Sequence, residues 1–198
     1  MAVPSDTAPD SVPVPSNVHV AGICGSLSTD SSTRRALQIA LGGAAGGGAL
    51  TTLVDLRDLK LPFAGTDWTA QEFPDVARFN GIVRAADALI WATPEYHGSF
   101  TGALKNALDL GYEEYEGKMV ALIGVAGGAI GAINALSHLR TVARQLHAWV
   151  LPRQVSIASA GKAFDEQGQL LDTTLQKALE ALGTEVAKYA RLHATLRD

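Results

Sequence analysis

The sequence predicts an α/β domain, with five parallel strands in a central sheet and helices on both faces. Two observations carry this reading. Short apolar runs alternate with stretches of helical periodicity along the chain, an order that imposes parallel pairing with right-handed crossovers. The length of 198 residues, 47% hydrophobic and 18% charged, suits one well-buried domain and falls short of two.

The elements follow in order. "NVHVAGI" (17–23) is a buried strand ending at Cys24-Gly25, and "SSTRRALQIALGGAAG" (31–46) a helix that glycines finish. "ALTTLVDL" (49–56) is the second strand, followed from Arg57 to Phe73 by a long loop with Pro62, Gly65 and Trp68. "PDVARFNGIVRAA" (74–86) opens with proline at a favoured first-turn position and is a helix. "DALIWAT" (87–93) is strand three, "TGALKNALDLGY" (101–112) a helix and "GKMVALIGVA" (117–126) strand four. From 130 to 150, Ile133, Leu136, Leu139, Val142, Ala143, Leu146 and Trp149 mark one helical face. "QVSIAS" (154–159) is strand five. The last helix starts near Asp172-Thr173, where Thr173 and Gln176 have capping-box spacing, and turns Leu175, Leu179, Leu182, Val186 and Tyr189 inward.

Composition excludes several classes. A net charge of −4 with no basic block argues against a nucleic-acid partner. No apolar run reaches the roughly 18 residues of a membrane span. The start lacks the basic and apolar regions of a secretory signal, and its four prolines in fifteen residues predict a disordered tail over 1–16, with 17–198 as the single domain. Cys24 is the only cysteine, so no intrachain disulfide forms, and a reducing, cytoplasmic location is expected. No Cys/His/acid cluster has metal-ligand spacing, so no metal is expected.

In such a sheet, ligands bind at the carboxyl ends of the strands. The loop after strand one, "GICGSLSTDSSTRRAL" (22–37), carries Ser26, Ser28, Thr29, Ser31, Ser32 and Thr33. Free amides at a helix start together with hydroxyl donors make a phosphate cradle. Simple N-capping, with Asp30 as the cap, is the competing account, although six hydroxyl residues in eight positions exceed what one cap requires. The loop lacks the lysine of a P-loop and the glycine spacing of a dinucleotide fingerprint, while Asp55 at the end of strand two mimics a ribose-binding acid. Serines in place of glycines suit a terminal monophosphate better than a pyrophosphate, and FMN is a flat ligand with such a phosphate.

After strand three, "TPEYHGSFTG" (93–102) reads as a bent loop whose exposed backbone matches the donor and acceptor edge of a flavin. After strand four, Gly127 and Gly128 in "GVAGGAIGAI" allow close approach to a flat ring, or simply make a tight turn. Three small-residue loops at one sheet edge favour a shared ligand site.

"GSLSTDSSTRRAL", "PEYHGSFTGALKNALD" and "GVAGGAIGAINALSHLR" together resemble the NADPH-dependent FMN reductase family over about residues 17–195. The resemblance implies a flavodoxin-like fold with strand order 2-1-3-4-5. It also implies noncovalent FMN, with NADPH or NADH as reductant. Ser26, Ser31 and Thr33 would hold the phosphate; Pro94, Glu95, Tyr96, His97 and Gly98 would line the isoalloxazine, with Gly127 and Gly128 on its other side. Electrons would pass by ping-pong hydride transfer to a small-molecule acceptor: a quinone, free flavin, an azo compound or a metal oxyanion such as chromate. A homodimer or homotetramer is implied, with the helices at 101–112 and 130–150 as contact surfaces.

Two positions depart from the family pattern. Its first loop commonly reads G-S-L-R, where this chain has Ser28, leaving Arg34 or Arg35 as substitutes or as solvated helix residues. His97 stands where P-E-Y-N has asparagine, either as a proton donor, since imidazole titrates near neutral pH, or as a tolerated surface replacement. Glu95 is expected to form an ion pair with Lys105 or with an arginine of a partner subunit, and Tyr96 to wall the pocket. Cys24 reads as a small core residue, His138, Arg140 and Arg144 as a polar helix face, and Trp68 as a cover for the ligand. The alternatives are a flavodoxin-type electron carrier without efficient NAD(P)H oxidation, and a nucleotide-binding module without redox chemistry.

Overall fold

Five long strands pair in parallel in a computed structural model that describes residues 17–194. The expected tail over 1–16 and the last four residues lie outside that range. The strands are β1 (His19–Cys24), β2 (Leu50–Asp55), β3 (Ala88–Tyr96), β5 (Met119–Val125) and β6 (Trp149–Ile157), in the order β2-β1-β3-β5-β6. A two-residue strand, β4 (Ser99–Phe100), pairs antiparallel with the end of β3. Counting only the long strands, the order is the expected 2-1-3-4-5. The helices are α1 (Ser32–Gly46), α2 (Pro74–Ala85), α3 (Gly102–Asp109), α4 (Ile133–Gln145) and α5 (Thr173–Ala194).

Burial on both faces explains why the central strands are apolar without alternation. Along β3, Ile90 and Ala92 enter the core under α1 and α5, with Leu37, Leu179, Leu182 and Val186. Leu89 and Trp91 point the other way, toward Phe79, Leu104, Leu108, Tyr115, Leu136 and Leu139 of the opposite helical layer. There the Trp91 and Tyr115 rings meet edge to face at 5.9 Å. No helix of the described residues is long and apolar enough to cross a membrane.

Several boundaries differ from expectation. The helix expected over 130–150 is α4, which stops at Gln145, and Trp149 opens β6 instead, its side chain exposed. His147, in the left-handed region at φ 55°, closes the helix as the amide of Ala148 reaches back to the carbonyl of Ala143 at 2.9 Å. The apolar spacing of α4 runs on into β6, so periodicity alone hides this stop. In β6, register with β5 jumps from Val120↔Val150 to Leu122↔Gln154, accommodating Pro152 on an edge strand. Helix α5 is capped by Asp172, whose Oδ1 accepts from the amides of Thr174 and Leu175 at 2.7 and 3.2 Å; Gln176 pairs with Glu180 instead. Tyr189, expected inward, is 39% exposed.

Candidate active site

The loops after β1, β3 and β5 meet at the carboxyl edge of the sheet, around the switch in strand order between β1 and β3. In the first loop Ser31, rather than Asp30, caps α1, its Oγ accepting from the Arg34 amide at 3.1 Å. That bond leaves the Ser31 hydroxyl hydrogen to donate elsewhere, beside first-turn amides that a helix leaves without an internal acceptor. Ser26, Ser31 and Thr33 are buried and Ser32 half-buried, whereas exposed Ser28 turns its hydroxyl to the Asp30 carbonyl at 3.1 Å.

Neither arginine of α1 is merely solvated. Arg34 donates to Asp55 Oδ2 at 2.5 Å and to the carbonyls of Ser28 and Thr29 at 2.9 and 3.1 Å, holding the loop to the end of β2. Arg35 pairs with Asp30 at 2.7 Å. Asp55, buried between Arg34 and Arg57, also accepts the Arg57 amide at 3.1 Å, so both its carboxylate oxygens already have partners. The loop therefore presents neutral N–H and O–H donors. Cys24 beneath it is buried, and that burial pushes its thiol up, as a core residue requires.

The expected bent loop after strand three is a β-hairpin. Strand β3 continues through Tyr96 and pairs Glu95 with Phe100 and Tyr96 with Ser99 around a two-residue turn. Both turn residues have positive φ, 51° at His97 and 77° at Gly98, the signature of a primed hairpin turn. Asparagine and histidine are among the side chains that tolerate this region, which gives one backbone reason for either residue at position 97.

Glu95 does not pair with Lys105, which bonds Asp109 at 2.6 Å. Its Oε2 accepts the Ala135 amide at 2.9 Å, in the first turn of α4, where Ala132 at the cap position offers no side-chain acceptor. A carboxylate there also complements the helix dipole. Ser99 Oγ and His138 Nδ1, 3.0 Å apart, make a second link between hairpin and helix. Arg140 reaches from α4 to Gln154 Oε1 and the Leu151 carbonyl at 2.8 and 2.9 Å, so it fastens β6 rather than serving as a solvated face. Tyr96, the last strand residue before the hairpin turn, is 57% exposed.

In the third loop Gly127 and Gly128 are exposed, and a Cβ added to either would meet no protein atom within 4 Å. The backbone is nevertheless held: the Ser159 amide donates to the Gly128 carbonyl at 3.0 Å and the Ala160 amide to that of Ala126 at 2.9 Å. Phe100 of the hairpin packs on Ala126, Ala132 and Ala135, giving the two loops a common apolar floor. Trp68 is half-buried in the loop before α2. Two residues outside the expected set, Thr93 and Thr101, are buried between the first and second loops. Threonine before Gly-Ala-Leu is a recognisable cap signal in the sequence. Among the described residues, no group of three or more His, Cys, Asp or Glu side chains could hold a metal ion.

A flavodoxin-type sheet with a hydroxyl-rich helix start and two backbone-rich loops at its carboxyl edge defines a class of flavin-binding oxidoreductases. Residues 18–162 match the family described as NADPH-dependent FMN reductase, and the chain belongs to that family. It is 39% identical over 177 residues to an NAD(P)H-dependent FMN reductase of Pseudomonas aeruginosa, covering 84% of this chain and 94% of that protein. It is 32% identical to a quinone reductase of Pseudomonas putida, covering 88% and 95% of the two chains. Among solved structures, FerB, a flavoenzyme NAD(P)H:(acceptor) oxidoreductase from Paracoccus denitrificans, superposes with a TM-score of 0.72 at 27% identity, over 89% of this chain and 98% of that one. The protein is an oxidoreductase that uses FMN with NAD(P)H.

Proposed function

We propose that FMN lies across these three loops and that the enzyme passes electrons from NAD(P)H to a flat organic acceptor in one cleft by a ping-pong cycle. The observation that carries the reading is the pairing of a neutral-donor cradle at the start of α1 with an open glycine backbone after β5. The residues fit the group. Ser26, Ser31 and Thr33, with the first-turn amides of α1, would hold the phosphate, and the positive end of α1 would supply the attraction that Arg34 and Arg35, paired with Asp55 and Asp30, do not. Pro94 to Gly98 would follow the ring edge with backbone groups, and Gly127 and Gly128 leave room that no protein atom fills.

When bound, FMN supplies the hydride chemistry: its ring accepts a hydride from the nicotinamide and yields the electrons to the acceptor. The chain's task is orientation. Glu95 and Ser99 fasten the hairpin to α4, while Arg34 fastens the phosphate loop to Asp55, so that both ends of the ligand meet fixed backbone. Tyr96, Ile130 and Ile133 are exposed near these loops and offer apolar surface to a stacked partner. With Arg34 and Arg35 already paired, this rim supports quinones, azo compounds or free flavin over an oxyanion such as chromate. His97 is exposed at its turn, and turn geometry accounts for it without proton transfer. We also infer a homodimer or dimer of dimers; an apolar groove of about 370 Å³ at the start of α3, lined by Leu27, Leu59, Phe63 and Ala103, supports a contact there.

Anaerobic titration of the purified, FMN-loaded protein tests the reading. NADPH or NADH should bleach the flavin band, a quinone should restore it, and initial rates should give parallel double-reciprocal lines. A protein that takes up no FMN would sink the proposal. Bound FMN that neither nucleotide bleaches would instead indicate an electron carrier.

A further inference from the structure

We propose that Thr101 is the joint that sets the spacing between the phosphate cradle and the hairpin, and so positions a ligand that must engage both; the inference rests on the flavin reading above. Thr101 is 5% exposed and caps α3, its Oγ1 accepting from the Leu104 amide at 3.2 Å. The same hydroxyl donates to the Gly25 carbonyl at 2.7 Å, at the entrance to the first loop. One hydroxyl hydrogen and one lone pair satisfy these two bonds together, which fixes the orientation of the group.

The connection continues on both sides. The Thr101 amide donates to Thr93 Oγ1 at 3.1 Å, and the Thr93 hydroxyl donates to the Pro94 carbonyl at 2.9 Å, where the hairpin leaves the sheet. The Gly25 amide donates to the Ala92 carbonyl at 2.8 Å. A Cβ at Gly25 would lie 2.9 Å from Leu104 Cβ and 3.0 Å from Thr101 Oγ1, so the two segments touch with nothing between them. Buried bonds of this kind hold their geometry, because leaving a partner unsatisfied is costly. The ribityl chain of FMN has a bounded reach and must hold one extended conformation to engage both cradles, so a change in loop spacing strains the chain or loosens one contact. Riboflavin, which lacks the phosphate, needs only the ring cradle.

The test compares FMN and riboflavin binding to the flavin-free full chain by quenching of flavin fluorescence, in the parent, Thr101→Val, Thr101→Ser and Gly25→Ala. Thr101→Val should weaken FMN about tenfold and riboflavin by less than about threefold, so that the preference for FMN shrinks. Thr101→Ser keeps the hydroxyl and should keep the parent's preference. Gly25→Ala wedges the same joint from the other side and should repeat the valine pattern, even if Thr101→Val proves too unstable to titrate. Equal losses for both flavins, or a serine variant that behaves like valine, would overturn the proposal and leave Thr101 a support of the fold. A parent that binds neither flavin overturns the flavin reading itself, and the joint's role toward that ligand with it.

Discussion

At Gly183 an added Cβ would overlap the carbonyl oxygen of Ala40, and at Gly43 that of Glu180, whereas at Gly127 and Gly128 it would meet no protein atom within 4 Å. The first pair lies where α1 and α5 cross, close enough for Thr184 Oγ1 to reach the Gly43 carbonyl at 3.0 Å. The protein itself demands glycine there, because backbone packs on backbone. The second pair lies in the loop after β5, where nothing in the fold forbids a side chain. Open space alone is no ligand signal, since a Cβ at Gly42, Gly81 or Gly161 would also meet nothing; it is the place of Gly127 and Gly128 at the carboxyl edge of the sheet that ties their room to the proposed flavin site.

Substitution separates the two cases. Gly183→Ala must push α5 from α1 and should destabilise the protein by about 3 kcal/mol, lowering Tm by roughly 6–12 °C. The affinity of the folded fraction for FMN should change little, since the contact is remote from the loops. An unchanged Tm would show that the helices part freely. Gly128→Val should do the reverse, leaving the Tm of the flavin-free protein within about 1 °C while weakening FMN at least about tenfold. Undiminished FMN affinity in that variant would mean that the ring lies elsewhere.

The same contrast bears on what can be read from sequence. The order of strands and helices is legible because burial on both faces writes long apolar runs, and the three loops follow from that order. The end of α4 is not legible, since Leu146 and Trp149 continue its spacing past Gln145 on either side of the turn at His147. Glu95 is misjudged for a different reason. Its neighbour Lys105 suggests an ion pair, yet the unmet need is at the start of α4, where the sequence Gly-Ala-Ile-Asn-Ala places no Ser, Thr or Asp at the cap. That vacant cap is a sequence signal for a remote acceptor. The pairing of Arg34 with Asp55 spans 21 positions and has no local signature at all.

His97 gives the finest version of the comparison, a residue whose backbone explains its identity before any chemistry is invoked. Its φ of 51° suits glycine, asparagine or histidine and opposes β-branched side chains. His97→Asn should therefore change stability by less than about 0.5 kcal/mol, while His97→Val should cost roughly 1–2 kcal/mol by straining the turn. Thermal unfolding of the two variants checks this order, and equal stability would remove the turn argument. The pH–rate profile with a quinone then isolates the side chain. If His97 serves only the turn, His97→Asn keeps the parent's profile, because asparagine holds the same backbone and carries no titrating group. If the imidazolium donates a proton to the acceptor, the parent loses rate as pH rises and deprotonates it, and the asparagine variant shows a lower rate without that decline.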